Sequence, residues 1–309
     1  MKIVYMGTPD FSVGALEALI KAGHTIVKVV TQPDKPKGRG KDIQVSPVKA
    51  CALEHGLEVY QPLKIRDPEA VNYMKSLDAD IYVVAAFGQI LPQEVLDIPK
   101  FGCVNIHASL LPKYRGAAPI QQAIIDGEKY TGVTIMQMNA GMDTGDILLQ
   151  KKIEISEEET GGSLFDKLSI LGAELIVEAL PLIEAGTLIP VKQDEELSTK
   201  CGKITKEMGH INWNMAALDI SNLVRGLNPW PSSFSRIEGK TLKIWKAWAT
   251  ESTKTGTPGI ISHVDKDYFE VNTGRGKLVV TEVQLEGKKR MPVKDFLLGY
   301  KLEEGSKLE

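Results

Sequence analysis

The chain opens with KIVYMG, a short apolar run. It continues TPDFSVGALEALIKAGH, whose apolar residues recur at helical spacing before a Gly-His stop. A second apolar run, TIVKVVTQ, follows at once. Strand, helix, strand in that order implies a crossover, because parallel strands cannot be joined by a tight turn. The pattern repeats. LEVYQP and ADIYVVAAF flank the helical PEAVNYMKSL, and GCVNIHAS and TGVTIMQM come later, ahead of the long helical segment GGSLFDKLSILGAELIVEALPLIEAG. Repeated units of this kind predict a parallel sheet with helices on both faces.

Residues 1–189 are therefore expected to form one α/β domain with a Rossmann-like, mostly parallel sheet. The chain then turns polar and irregular, and residues 190–205 read as a linker. Beyond it, MAALDISNLVRGL predicts a helix ending before the turn-rich NPWPSS. TLKIWKAWA, TPGIISHV, YFEVNTG and KLVVTEVQL then read as short strands separated by Gly and Asp turns. Residues 206–309 are expected to form a small OB-like β-barrel.

A formal net charge of −3 does not mark the whole molecule as a polyanion binder, but the charge is uneven. From Lys206 onward there are 16 basic and 13 acidic residues, which leaves 21 basic and 27 acidic before it. A basic end on an acidic body is compatible with a nucleic-acid footprint, and equally with chance spread of surface charge. Cys51, Cys103 and Cys201 are odd in number and far apart, which argues for reduced thiols and an intracellular, cytoplasmic protein. The histidines are not expected to cluster with them, so no metal site is expected. The N-terminus reads as strand and turn, with no signal peptide or membrane span.

The first loop, MGTPDFSVGAL, lacks the G-x-G-x-x-G of a dinucleotide site. The chemistry gathers further on, in NIHASLLPKYRGAAPI at 105–120. Along the strand CVNIHAS side chains alternate, so Asn105 and His107 share one face, at a strand end where open α/β sheets bind ligands. Each residue alone suits an ordinary structural hydrogen bond; together, ahead of this loop, they suggest a site. Pro112 and Gly116 shape the loop, Pro119 can open the next helix, and Arg115 is either an anion ligand or a solvated charge. Asp143, between Gly141 and Gly145, is either an Asx turn or the carboxylate of an acid–base set with Asn105 and His107. Without a G-x-S-x-G elbow, that set suits direct transfer between two bound substrates better than covalent catalysis.

These stretches, with GMDTGDI, GTPDFSVGALEAL, VVTQPDKPKGRGKDIQVSPVKACA, VVAAFGQILP and LNPWPSSF, resemble the folate-dependent formyltransferases from the first strand into the second domain. Within that family the QPDKPKGRGK insertion and the C-terminal barrel are similar to those of members acting on initiator methionyl-tRNA. The resemblance implies 10-formyltetrahydrofolate as formyl donor, no metal, no membrane, and a monomer. Asn105, His107 and Asp143 match the catalytic trio. Ser109, Leu110, Leu111 and Pro112 match the folate segment, and Phe87, Ile90 and Leu91 would line the pterin pocket. Lys35, Lys37, Arg39 and Lys41 would contact the tRNA acceptor end, helped by Lys288, Lys289 and Arg290. In this reading Asn105 and a protonated His107 donate to the oxyanion, and Asp143 orients His107 and favours its charged form. Trp230, between two prolines, reads as a packing anchor. The competing enzyme reading is formyl transfer to a sugar nucleotide or another small amine; an inactive folate- or RNA-binding module is the non-enzymatic alternative.

Overall fold

The computed structural model describes residues 1–37, 42–251 and 256–309. It divides into two compact units. The first comprises 1–116, 130–153 and 165–201, and the second 117–129, 154–164 and 202–309.

The first unit is built on a seven-stranded sheet. In chain order its strands are β1 (Lys2–Gly7), β2 (Thr25–Val30), β3 (Val59–Tyr60), β4 (Ile81–Ala85), β5 (Cys103–His107), β6 (Tyr130–Gln137) and β7 (Ile147–Glu154). Their order across the sheet is β7-β6-β5-β4-β1-β2-β3. The pairs from β3 to β5 are parallel, whereas β5 and β6 run antiparallel. Helices supply the crossovers: α1 (Val13–Lys21) between β1 and β2, α2 (Pro47–Glu54) before β3, and α3 (Pro68–Lys75) before β4. Ser46 caps α2 through its hydroxyl, which accepts from Lys49 N at 3.1 Å, and Pro47 takes the first helical turn, where its missing N–H costs nothing.

The apolar run of β4 is buried at every residue, as a strand covered on both faces must be. Val4, Met6, Tyr82, Val84 and Cys103 pack on one side of the sheet with Val71, Met74 and Val95. The stretch 190–205, read as a linker, is hydrogen-bonded along much of its length. Val191 exchanges backbone bonds with Ile147, and Lys200–Cys201 pairs in parallel with Arg115–Gly116. A Cβ on Gly116, whose φ is +122°, would strike the Cys201 carbonyl, so this close approach requires glycine.

The second unit carries an antiparallel sheet. Its strands are β8 (Ser233–Ile237), β9 (Lys240–Thr250), β10 (Ile261–Val264), β11 (Phe269–Asn272), β12 (Lys277–Leu285) and β13 (Met291–Pro292). Its core joins Leu242, Ile244, Phe269, Val271 and Val280 to Ile220 and Val224 of the helix Ala217–Gly226, which the sequence pattern predicts. The strand Ser233–Ile237 and the helix Val293–Gly299 are additions to that pattern. Among the described residues, no helix is long and apolar enough to cross a membrane.

Candidate active site

Asn105 and His107 sit at the end of β5, 9% and 5% exposed. In the antiparallel register Asn105 faces Met136 and His107 faces Thr134. The imidazole Nε2 lies 2.9 Å from the Tyr114 carbonyl oxygen. A carbonyl can only accept, so Nε2 is the protonated nitrogen and Nδ1 is left for chemistry. Nδ1 stands 3.8 Å from Asp143 Oδ2. At that distance the Asp143 carboxylate accepts no hydrogen bond from the ring, and the Tyr114 carbonyl holds it through Nε2. Asp143 Oδ2 accepts from the Gly116 backbone N–H at 2.8 Å. The Asn105 amide has no hydrogen-bond partner among the described residues, and it is not among the fully enclosed orphan groups, so solvent reaches it.

Asp143 occupies the left-handed region, with φ of +53°, which is uncommon for a residue with a Cβ. Its loop is pinned on both sides. Asn139 Oδ1 accepts from Gly141 N at 3.0 Å and from Thr144 Oγ1 at 2.8 Å. Gly145 lies so close to β6 that a Cβ there would collide with the Gln137 carbonyl oxygen.

The Ser109–Pro112 segment is anchored from beneath. Ser109 is buried, and its hydroxyl donates to the Lys113 carbonyl at 2.6 Å. Thr134 Oγ1 donates to the Ser109 carbonyl at 2.6 Å and accepts from Leu111 N at 3.1 Å. Gln150 Nε2 donates to the Leu111 carbonyl at 2.9 Å and to Thr134 Oγ1 at 2.8 Å. The loop is rigid, as its composition suggests, but both backbone polar groups of Leu111 are consumed inward. The Leu111 side chain is also buried, Leu110 and Pro112 are half-buried, and the Leu111–Pro112 peptide is cis.

Phe87 and Leu91 are buried members of the core around Val4, Met6 and Val84, whereas Ile90 is 79% exposed. Positive φ values at Ala86 and Gly88 bend the chain at the C-terminal end of β4, and the Phe87 carbonyl accepts from Thr8 Oγ1 at 2.9 Å and Gln32 Nε2 at 3.2 Å. Of the basic insertion, Lys35 is exposed and donates to Gln32 Oε1 at 3.0 Å. Backbone pairing extends to Lys37 opposite Asp42, while the Lys37 side chain, Arg39 and Lys41 lie outside what is described. Lys288 and Lys289 are exposed. Arg290 is engaged already, held by both oxygens of Glu282 at 2.7 Å with its guanidinium 4.6 Å from the centre of the Trp245 ring. Trp230 is 53% exposed, so the reading of it as a packing anchor is corrected.

The expectation that no histidine lies with a cysteine is also corrected. Cys51 and His55 stand one turn apart, and with Glu17 of α1 they place three donor atoms within 4.8 Å of one another. The i, i+4 spacing was readable in the sequence. Burial, reinforced by the Glu17 and Glu54 carboxylates, pushes the Cys51 thiol up to about 11.

Residues 1–180 match the family described as formyl transferase, and residues 203–301 match the formyl transferase C-terminal domain. The methionyl-tRNA formyltransferase of Agathobacter rectalis is 54% identical over 306 residues, covering 99% of each chain. That of Lachnospira eligens is 52% identical over 310 residues, covering 99% of this chain and 98% of its own. Among solved structures, the N-formyltransferase from Helicobacter canadensis in complex with folinic acid and dTDP-3-aminofucose superposes with a TM-score of 0.68 at 20% identity, covering 94% of this chain and all of that one, a likeness of fold. The chain belongs to the formyl transferase family, through both its N-terminal and its C-terminal domains.

Proposed function

We propose that this formyl transferase moves the formyl group of 10-formyltetrahydrofolate to the α-amino group of initiator methionyl-tRNA. One observation carries the reading: a solvent-reached, unpartnered Asn105 amide stands beside a histidine whose Nδ1 faces a carboxylate, at the C-terminal end of a central strand. A folate-derived donor is supported by the family and by the folate ligand of the Helicobacter canadensis protein. The tRNA acceptor is supported by relatives of that name at about half identity over the whole chain. The solved neighbours whose titles name a sugar nucleotide or sugar formyl transferase are near 20% identity.

The amine nitrogen attacks the formyl carbon, an N–C bond forms, and the carbonyl oxygen becomes an oxyanion. Asn105 donates to that oxyanion; one such donor is typically worth about 10²–10³ in rate. His107 takes the amine proton at Nδ1, its free nitrogen, and Asp143 stabilises the imidazolium that results. In this assignment His107 acts as the base rather than as a protonated oxyanion donor, and its Nε2 is held by the Tyr114 carbonyl in either case. The bond to folate N10 then breaks and the proton leaves on that nitrogen. No covalent enzyme intermediate is needed. In the same reading, Ser109–Pro112, Phe87 and Leu91 frame the folate site, and the 35–41 insertion with Lys288 and Lys289 meets the acceptor arm.

The test is an acceptor panel with 10-formyltetrahydrofolate: charged initiator methionyl-tRNA, charged elongator methionyl-tRNA, free methionine and a dTDP-amino sugar. Formylation of the initiator species alone is expected. Preferential formylation of the amino sugar would replace this reading with the small-amine one.

A further inference from the structure

Asp143 sits at φ +53°, in the left-handed region that few residues other than glycine occupy, although Asp tolerates it better than most. Its loop is held there by contacts from further along the chain. We propose that Gln193, with Arg115 and Glu195, is a latch that positions Asp143 against His107. Gln193 Nε2 donates to two carbonyls of the Asp143 loop, that of Asp143 at 2.8 Å and that of Gly145 at 2.7 Å. Its Oε1 accepts from Arg115 Nε at 2.9 Å. The remaining guanidinium nitrogens of Arg115 grip Glu195 with two bonds of 2.8 Å each. Arg115 is 2% exposed, and the planar fork leaves it little freedom.

The circuit closes on the carboxylate. Gly116, next to Arg115, donates its N–H to Asp143 Oδ2. The Arg115–Gly116 strand pairs with Lys200–Cys201, a few residues beyond Glu195. One short stretch of chain, 193–201, thus fixes both the backbone of Asp143 and the strand that orients its side chain. Arg115 is neither a substrate-anion ligand nor a solvated charge, the two roles its sequence context offers. Gln193, Arg115 and Glu195 act on the reaction only through Asp143, as positioning residues.

The inference rests on the proposed role of Asp143, and a double-mutant cycle separates the two. Steady-state formyl transfer from 10-formyltetrahydrofolate to initiator methionyl-tRNA is measured for Gln193→Ala, Asp143→Asn and the double variant, with folding checked by circular dichroism. Gln193→Ala is expected to lower kcat about 10- to 100-fold, as small misplacements of reacting groups do, with both KM values within about threefold. In the Asp143→Asn background the same change is expected to cost less than about twofold, because contacts that act through one residue do not add. Gln193→Glu keeps the acceptor for Arg115 but lacks the amide donors, so it guards against a misfolded alanine variant; it is expected to be as slow as Gln193→Ala. Losses that add in the cycle, or a folded Gln193→Glu at wild-type rate beside a slow Asp143→Asn, overturn the latch alone. Asp143→Asn at wild-type rate overturns the latch together with the role of Asp143.

Discussion

Thr134 is the cross-strand neighbour of His107 and is fully buried. Its hydroxyl serves three groups at once: the Ser109 carbonyl, the Leu111 N–H and the Gln150 amide. Thr134→Val keeps the shape and removes the hydroxyl. The Ser109 carbonyl and the Leu111 N–H then each lose this partner, at about 1–3 kcal/mol apiece when buried, while Gln150 keeps its bond to the Leu111 carbonyl. The sum is about 2–6 kcal/mol. For a unit of this size that lowers the melting temperature by roughly 4–24 °C. Thr134→Ser restores the hydroxyl and should recover most of the loss. Because the freed segment is the proposed folate wall, KM for 10-formyltetrahydrofolate should rise about fivefold or more in Thr134→Val, and less in Thr134→Ser, by the cost of re-ordering the loop. The measurements are melting by circular dichroism and steady-state kinetics with varied folate. A Thr134→Val protein that melts within about 2 °C of wild type would refute the reasoning, since buried backbone groups cannot lose a shared partner at no cost.

Gly145→Ala should abolish transfer or folding, because the new Cβ meets the Gln137 backbone oxygen and no flexible side chain can yield; soluble protein with full activity would contradict that packing. The Asp34 carboxyl is held below its ordinary value of 3.8 by hydrogen bonds from Lys49 and then Gln61. The native state therefore binds fewer protons there, and the resulting stability is present above the ordinary value and lost as pH falls through the folded one. Asp34→Asn should accordingly lose less stability than wild type on acidification from about pH 6 to about pH 3, measured by urea unfolding; equal acid losses in the two proteins would count against the pairing. The three cysteines are free and buried, with the Cys103 thiol pushed up to about 12 by burial and then the Asp97 carboxylate. A thiol-disulfide reagent at about pH 8 should leave all three slow in the native protein and titrate all three after denaturation; rapid native labelling of Cys51 would show that its burial is misjudged.

The sheet was legible because its information is local. Runs such as IYVVA are apolar at every position, and their spacing from helical segments dictates crossovers. The strand end carrying Asn105 and His107 was legible for the same reason, since alternation alone puts both on one face. Arg115 and Gln193 were not. Their meaning lies in hydrogen bonds spanning about eighty and fifty residues, and a polar stretch that pins a loop has the same composition as one that merely connects. The role of the His107 nitrogens was likewise out of reach, because it is set by a backbone carbonyl whose direction depends on the turn at Tyr114, where φ is +61°. Ile90 and Phe87 show what an apolar stretch leaves unread: three residues apart, one faces solvent and the other is buried, and composition alone does not say which.

The most direct test of the chemistry is the single-turnover rate of formyl transfer to initiator methionyl-tRNA by Asn105→Ala, with enzyme in excess so that product release does not enter. The account predicts a rate about 10²–10³ below wild type with donor binding within about threefold, the signature of a lost oxyanion donor. A folded Asn105→Ala protein that transfers at close to the wild-type rate would remove the amide from the reaction, and with it the account of how this strand end works.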